Sequence, residues 1–158
     1  MAQSAVQRLD ESRLTHLVGY AASRASIELR KTFARHLGPL GLKVVDFSIL
    51  VLVASNEHVN QKRLGVALDI SAPNMAITLD RLAESGWLER VRATHDRRAQ
   101  IIHLTAAGRD LVKRAERIAA TMENSALKPL SSAERALLIE LLLKVARGRT
   151  AAGDAGLP

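Results

Sequence analysis

The chain contains no cysteine. That excludes disulfides and thiol-based redox sensing, and it removes the strongest class of zinc ligand. Aromatic residues make up only 3% of its 158 residues, with one Trp, one Tyr and two Phe. Large β-sandwiches and barrels usually use more, so a mostly helical core of Leu, Val, Ile and Ala is expected. No apolar run approaches the roughly 18–20 residues of a membrane span. The opening Met1-Ala-Gln-Ser-Ala-Val-Gln-Arg8 lacks the apolar stretch of a signal peptide. These absences predict a cytoplasmic protein with no membrane partner.

Acidic side chains are also scarce. The 16 Asp and Glu face 23 Lys and Arg, a formal charge of +7. Such a balance favours a polyanionic partner while saying nothing of fold. The densest basic stretch runs from Arg90 to Arg98, where four Arg against one Asp leave a local +3. The five histidines, His16, His36, His58, His95 and His103, show no metal-ligand spacing. No nucleophile–base pair, paired carboxylates or glycine-rich phosphate loop emerges. Neither catalysis nor a cofactor or metal is therefore predicted.

What the sequence does hold is helical periodicity broken by one short hairpin. Length favours a single domain over residues 1–158. Apolar residues from Leu14 to Leu37 recur at steps of three and four, which predicts a first helix over about residues 10–37. Gly38-Pro39-Leu40-Gly41 then breaks it. A second helix is expected from Lys43 to about Ala54, and a third from Asn60, a capping residue, to Leu68. The turn Asp69-Ile70-Ser71 leads into a fourth, with Ser71 as hydroxyl cap and Pro73 in its first turn. Met75, Leu79 and Leu82 form its buried stripe, and Gly86 suits a left-handed stop. Two short helices joined by so few residues form a helix-turn-helix. Leu88–Ala93 and Ile101–Leu104 read as a hairpin. A fifth helix is expected from Thr105 to about Ala126. A sixth, running to about residue 149, starts at a capping box of Ser131 and Glu134. Its residues Leu137, Leu138, Leu141, Leu142 and Val145 make it oily enough to want a partner. Residues 150–158 read as a loose tail.

This order of elements, the Ser71–Arg90 helix and turn, and above all Asp96-Arg97-Arg98 followed by Leu104-Thr105-Ala-Ala-Gly108, resemble the MarR family of bacterial transcriptional regulators. The resemblance extends from about Leu14 to Arg149. It implies a mostly α fold with a small β-hairpin wing, a winged helix-turn-helix over residues 43–104 flanked by dimerisation helices over 10–37 and 106–149. It implies a homodimer on double-stranded, pseudo-palindromic operator DNA, often a repressor released by a small aromatic ligand. An architectural, non-specific DNA-binding protein without an effector is the alternative. Three positions depart from the family pattern. Lys43 stands where a capping Thr or Ser is usual. Asp69 replaces a turn Gly, and Asp tolerates left-handed backbone. Ile77 replaces an Arg, which implies apolar contact with a thymine methyl instead of a guanine contact.

On this reading Ala72, Pro73, Asn74 and Ile77 lie nearest base edges, with Ser71 counted among the DNA-binding residues. Asn74 either pairs bidentately with adenine or is a plain helix-start residue. Arg81 either meets phosphate or pairs with a neighbouring acid. Gln61, Lys62 and Arg63 open the preceding helix, where cations and N–H groups suit phosphate. By resemblance Arg98 enters the minor groove while Asp96 braces a wing arginine, Arg97 beside them; a surface ion pair of Asp96 and Arg98 is the other reading. The effector candidates are Tyr20, Arg24, Phe33, His36 and Phe47. Arg24 either holds a carboxylate through two parallel hydrogen bonds or is a surface or interchain ion-pair residue; Phe33 and Phe47 are otherwise core. The expected effector is a small aromatic carboxylate or its coenzyme A thioester.

Overall fold

The computed structural model describes residues 9–92 and 100–152. Six helices and one hairpin follow in the order α1 (Val18–Leu37), α2 (Val44–Ala54), α3 (Gln61–Leu68), α4 (Ala72–Glu84), β1 (Leu88–Arg92), β2 (Gln100–Leu104), α5 (Ala106–Met122) and α6 (Ser132–Ala152). A 3-10 turn at Gly38–Leu40 joins α1 to the approach to α2. The described chain forms two compact units, one ending at Met122 and one beginning at Glu123. Among the described residues no single helix is long and apolar enough to cross a membrane.

The first unit holds the core. Leu37, Ile49, Leu50, Leu64, Met75, Leu79 and Leu82 are fully buried, and Leu88, Ile102, Leu104, Leu111, Val112 and Ala115 extend the cluster into the hairpin and α5. The expected stripe of α4 is thus its buried face. β1 and β2 pair antiparallel, Leu88 opposite Leu104 and Arg92 opposite Gln100. Ile102 N–H donates to the Val59 carbonyl at 2.8 Å, so the loop before α3 adds a further rung to the hairpin.

The local endings follow the residues that favour them. Asn60 Oδ1 accepts from Arg63 N–H at 2.9 Å and caps α3. Asp69 ends α3 at φ +54°, the left-handed backbone that Asp tolerates. At the end of α4, Gly86 N–H donates to the Ala83 carbonyl and Trp87 N–H to the Leu82 carbonyl. With Gly86 at φ +73° this is a Schellman stop.

Several boundaries differ from expectation. Helix α1 begins at Val18, because Leu17 is extended (φ −89°, ψ 120°). Residues before it form separate turns, with Leu14 and Thr15 N–H donating to the Glu11 carbonyl. Leu14, Leu17 and Val18 are exposed, so no packing within this chain extends the helix over their apolar spacing. Ser71 makes no side-chain cap; Pro73 at the second helical position has no N–H to offer it. Helix α5 ends at Met122, four residues before the expected Ala126, and α6 runs on to Ala152, into the expected tail.

The second unit is α6 and the turns before it. Ser131 Oγ and Glu134 form the expected capping box: Ser131 N–H donates to Glu134 Oε2 at 2.8 Å, and Glu134 N–H donates to Ser131 Oγ at 3.3 Å. Its seven large apolar residues from Leu137 to Val145 are between 37% and 72% exposed in the isolated chain.

Candidate nucleic-acid interface

Helix α4 presents one clear outer strip. Met75, Leu79 and Leu82 point to the core, which leaves Ala72, Pro73, Asn74 and Ile77 exposed at its N-terminal half. Ile77 is 67% exposed, a large apolar residue with no partner inside the unit. Such residues are tolerated singly on a surface, but here it neighbours Asn74, whose amide has two donors and an acceptor. Ser71 is exposed beside them.

Three side-chain contacts fix the pose of this helix. Gln61 Nε2 donates to the Ala72 carbonyl at 3.0 Å and ties its first turn to α3. Arg90 on β1 pairs with Asp80 at 2.6 Å. Arg81 donates through Nη1 at 3.2 Å, and through Nη2, to the two carboxylate oxygens of Asp46 on α2. Asp46 is fully buried, whereas the Arg81 side chain is 37% exposed. Asp46 Oδ2 also accepts from Lys43 N–H at 2.9 Å. That closes the acid half of a capping box although Lys43 has no acceptor of its own. The bidentate fork satisfies both oxygens of an otherwise costly buried charge.

These bonds redistribute the sequence's list of basic contacts. Of the two readings of Arg81, the structure has the pairing with an acid. Arg63 Nη1 donates to the carbonyls of Glu57 (2.8 Å) and His58 (2.9 Å). It braces the loop where His58 takes φ +52°, a backbone conformation uncommon for a non-glycine residue. Gln61 is spent on α4. Lys62 alone of that trio makes no hydrogen bond or ion pair among the described residues. Asp96, Arg97 and Arg98, and His95, lie outside the described residues.

The base of the hairpin is held from α5. Thr105 Oγ1 donates to the Gly86 carbonyl at 2.6 Å and accepts from Gly108 N–H at 3.0 Å, while Thr105 N–H donates to the Trp87 carbonyl at 3.1 Å. One residue therefore caps α5 and clips the α4–β1 turn. Sequence reasoning placed Thr105 and Gly108 in a motif without this physical role. The pairings of Asp46, Asp80 and Arg90 it missed, because they join different elements, α2 with α4 and α4 with β1.

The effector candidates do not share one cavity. Phe33 is buried and stacks tilted on Phe47, with centroids 6.0 Å apart, so both serve the core. Tyr20 forms a hydrogen bond with Glu11 that raises its hydroxyl pKa, with the nearby Arg24 charge opposing. Arg24 is exposed and makes no ion pair among the described residues. His36 lines a separate groove with Arg114 and Arg117. A cleft of about 600 Å³ opens instead between α1, the start of α2 and the α3–α4 turn. Phe33, Leu42 and Val44 give it apolar walls, with Leu68 and Ile70 at the turn, and Arg30 and Lys43 supply two cations. Among the described residues no three acidic or histidine side chains gather to hold a metal.

Comparison with known proteins decides the identity of this arrangement. The family model described as the MarR family matches residues 40–99, from the 3-10 turn through the hairpin connection. The transcriptional repressor CouR, solved bound to a 23-mer DNA duplex, superposes with a TM-score of 0.84 at 33% identity, over 89% of this chain and 100% of that one. The chain belongs to the MarR family. CouR has also been solved bound to p-coumaroyl-CoA, with a TM-score of 0.79 at 32% identity, over 89% and 99% of the two chains. The multiple antibiotic resistance protein MarR of Escherichia coli is 24% identical over 132 residues, 84% of this chain and 87% of that protein. The chain is thus a winged-helix, DNA-binding transcriptional regulator and not an enzyme. In this MarR-family chain, α3 and α4 with the strands β1 and β2 form the winged helix-turn-helix.

Proposed function

We propose that this regulator is a homodimeric, cytoplasmic repressor that leaves a pseudo-palindromic operator when a small aromatic carboxylate or its coenzyme A thioester binds. The DNA side rests on the exposed strip Ala72, Pro73, Asn74 and Ile77 on a recognition helix pinned by Gln61, Asp46 and Arg90. A rigid helix presenting polar and apolar groups to a major groove reads adenine through Asn74 and a thymine methyl through Ile77. Lys62 meets phosphate, and Arg98, supported by Asp96 and Arg97, reaches the minor groove. Helices α1, α5 and α6 join the two copies, since α6 offers an apolar surface that a single chain leaves wet.

One observation carries the effector reading: the cleft beside the helix-turn-helix is apolar on its walls and carries Arg30 and Lys43 but no acid. That chemistry suits an aromatic ring with an attached anion, and the similar repressor CouR is known with p-coumaroyl-CoA bound. The site therefore moves from the Tyr20–Arg24 end of α1 to its Arg30–Phe33 turn. Footprinting on DNA selected from a random pool, followed by titration with p-coumaroyl-CoA and free aromatic acids, tests both halves. One sharp palindromic footprint that the ligand abolishes is the expected result. Uniform coating without sequence preference would support the architectural alternative. A footprint indifferent to every acid and thioester would refute the ligand class.

A further inference from the structure

The cleft and the recognition helix share a structural part. Lys43, Val44, Val45 and Ser48 line the cleft from the first two turns of α2, and Leu68 and Ile70 line it from the end of α3 and the turn after it. Asp46 belongs to that same first turn of α2. Its side chain faces the other way, buried, and grips Arg81 on α4 with both oxygens while accepting from Lys43 N–H. An occupant that pushes the first turn of α2 therefore displaces the buried carboxylate that holds Arg81. Water cannot substitute for the guanidinium at a fully buried carboxylate without opening the core. Arg81 sits one turn beyond Ile77 on the reading helix.

We propose that the Asp46–Arg81 pair is the joint, among the contacts that hold the recognition helix, that passes occupancy of the α1–α2 cleft to it. This rests on the cleft being the effector site. Asp46 is then a positioning residue for DNA reading, although it never touches DNA. The ligand class is an aromatic anion whose bulk lies against Val44 and Ser48. Its bound state favours a pose of α2 in which α4 no longer spans the operator. A ligand without such a preference would shift nothing.

The test uses the full-length dimer and has an arm that needs no ligand. Asp46→Asn keeps an oxygen for Lys43 N–H but removes the charge, and it should weaken operator affinity about 10-fold. Arg81→Gln should do the same, and the double variant should be no worse than either, the mark of two residues acting as one. Arg81→Lys, which keeps the charge and loses the fork, should recover part of the affinity. Multiplying losses in the double variant would overturn the joint. Circular dichroism and melting of each variant exclude simple unfolding.

A second arm reads the motion itself. The chain has no native cysteine, so a spin label can be placed at position 77 through Ile77→Cys, and the distance between the two labels of the dimer measured. Val44→Trp, which fills the cleft without ligand, and saturating p-coumaroyl-CoA should each shift that distance in the otherwise natural chain. Neither should shift it in the Asp46→Asn background, where calorimetry should still find p-coumaroyl-CoA bound within about 3-fold. A shift of the same size in both backgrounds refutes the joint. If p-coumaroyl-CoA does not bind the natural chain, the effector reading fails, and the double-variant cycle and Val44→Trp still decide the joint.

Discussion

Gly108 lies against the main chain of Trp87. A Cβ at Gly108 would overlap the Trp87 carbonyl oxygen and stand 3.0 Å from its carbonyl carbon, so the first turn of α5 is pressed on the start of the wing. Backbone cannot swing aside as a flexible side chain can. Gly108→Ala is therefore expected to destabilise the first unit by roughly 1–3 kcal/mol or more, the range of overpacked sites. Gly148 in α6 meets nothing within 4 Å, and Gly148→Ala should stabilise that helix by up to about 1 kcal/mol. Urea unfolding of the two variants, run side by side, checks the contrast. Equal effects would mean that α5 does not pack on Trp87 as described.

A pH prediction follows from the cap of α6. The Ser131 hydroxyl, and then its backbone N–H, hold the Glu134 carboxyl below its ordinary pKa of 4.5. A carboxylate whose folded pKa is depressed adds stability above its unfolded pKa, and that addition is lost as the pH falls through the folded one. Glu134→Gln should accordingly be less stable than the natural chain at neutral pH. The gap should narrow as the pH drops below about 4.5 and close in stronger acid. Helicity and unfolding midpoints measured from pH 7 to pH 2.5 would show it; a gap constant across that range would contradict the assigned bond.

Local signals were legible in the sequence where the controlling atoms lie within a few residues. The Ser131–Glu134 box, the Asn60 cap, the left-handed Asp69 and the Gly86 stop each depend on neighbours in the chain, and each stands where its residue type requires. The buried stripe of α4 was legible because core packing repeats at helical spacing. Arg63, Gln61 and Arg81 were harder. Each is a polar residue in an exposed-looking pattern, and each is held by a partner in another loop or helix, Arg63 by the loop before α3, Gln61 by α4 and Arg81 by α2. Asp46 was invisible for the same reason: 35 positions separate it from Arg81. The N-terminal overreach of α1 has the opposite cause, since Leu14, Leu17 and Val18 have the spacing of a helix face but find nothing within this chain to pack on.

Dimerisation should rest on α6. Leu141 is 49% exposed in the isolated chain and lies amid a helix that is apolar nearly all round. Burying such surface stabilises an interface by roughly 25 cal/mol per Å². With α6 as the expected seam, Leu141→Glu places a charge in both copies of it. At roughly 1.4 kcal/mol per copy, dimer affinity should fall about 100-fold. Sedimentation across micromolar concentrations measures this, and a natural chain that sediments as a folded monomer would remove α6 as a dimer surface.

Arg98 falls between the two wing strands in sequence. If it occupies a minor groove, Arg98→Ala should weaken specific binding by roughly 1–3 kcal/mol. It should also flatten the dependence of affinity on salt, because fewer counterions are released. Unchanged affinity would favour the surface ion pair with Asp96. Arg63→Ala makes a useful comparison. Arg63 is committed to the Glu57 and His58 carbonyls, so its loss should lower the stability of the loop before α3 while leaving the salt slope nearly as it was.

Base reading is the sharpest expectation for α4. Asn74 and Ile77 are three positions apart, on one exposed face, and so are expected to address neighbouring base pairs. Asn74→Ala removes the only side-chain amide on that strip, and it should cost roughly 1–3 kcal/mol at one A·T pair while leaving other positions of the site unchanged. Ile77 has no polar atom to spend. Its preference must come from contact with a thymine methyl, so replacing that thymine by uracil should weaken the natural chain and leave Ile77→Ala indifferent. Ile77→Arg should instead gain a preference for guanine at that position, since its guanidinium can pair with O6 and N7. Affinities for an operator set with single base-pair changes, measured for the natural chain and the three variants at one salt concentration, give each of these differences directly. If Asn74→Ala weakens every sequence by the same factor, Asn74 acts on backbone or helix structure, and the reading strip must be sought elsewhere on α4.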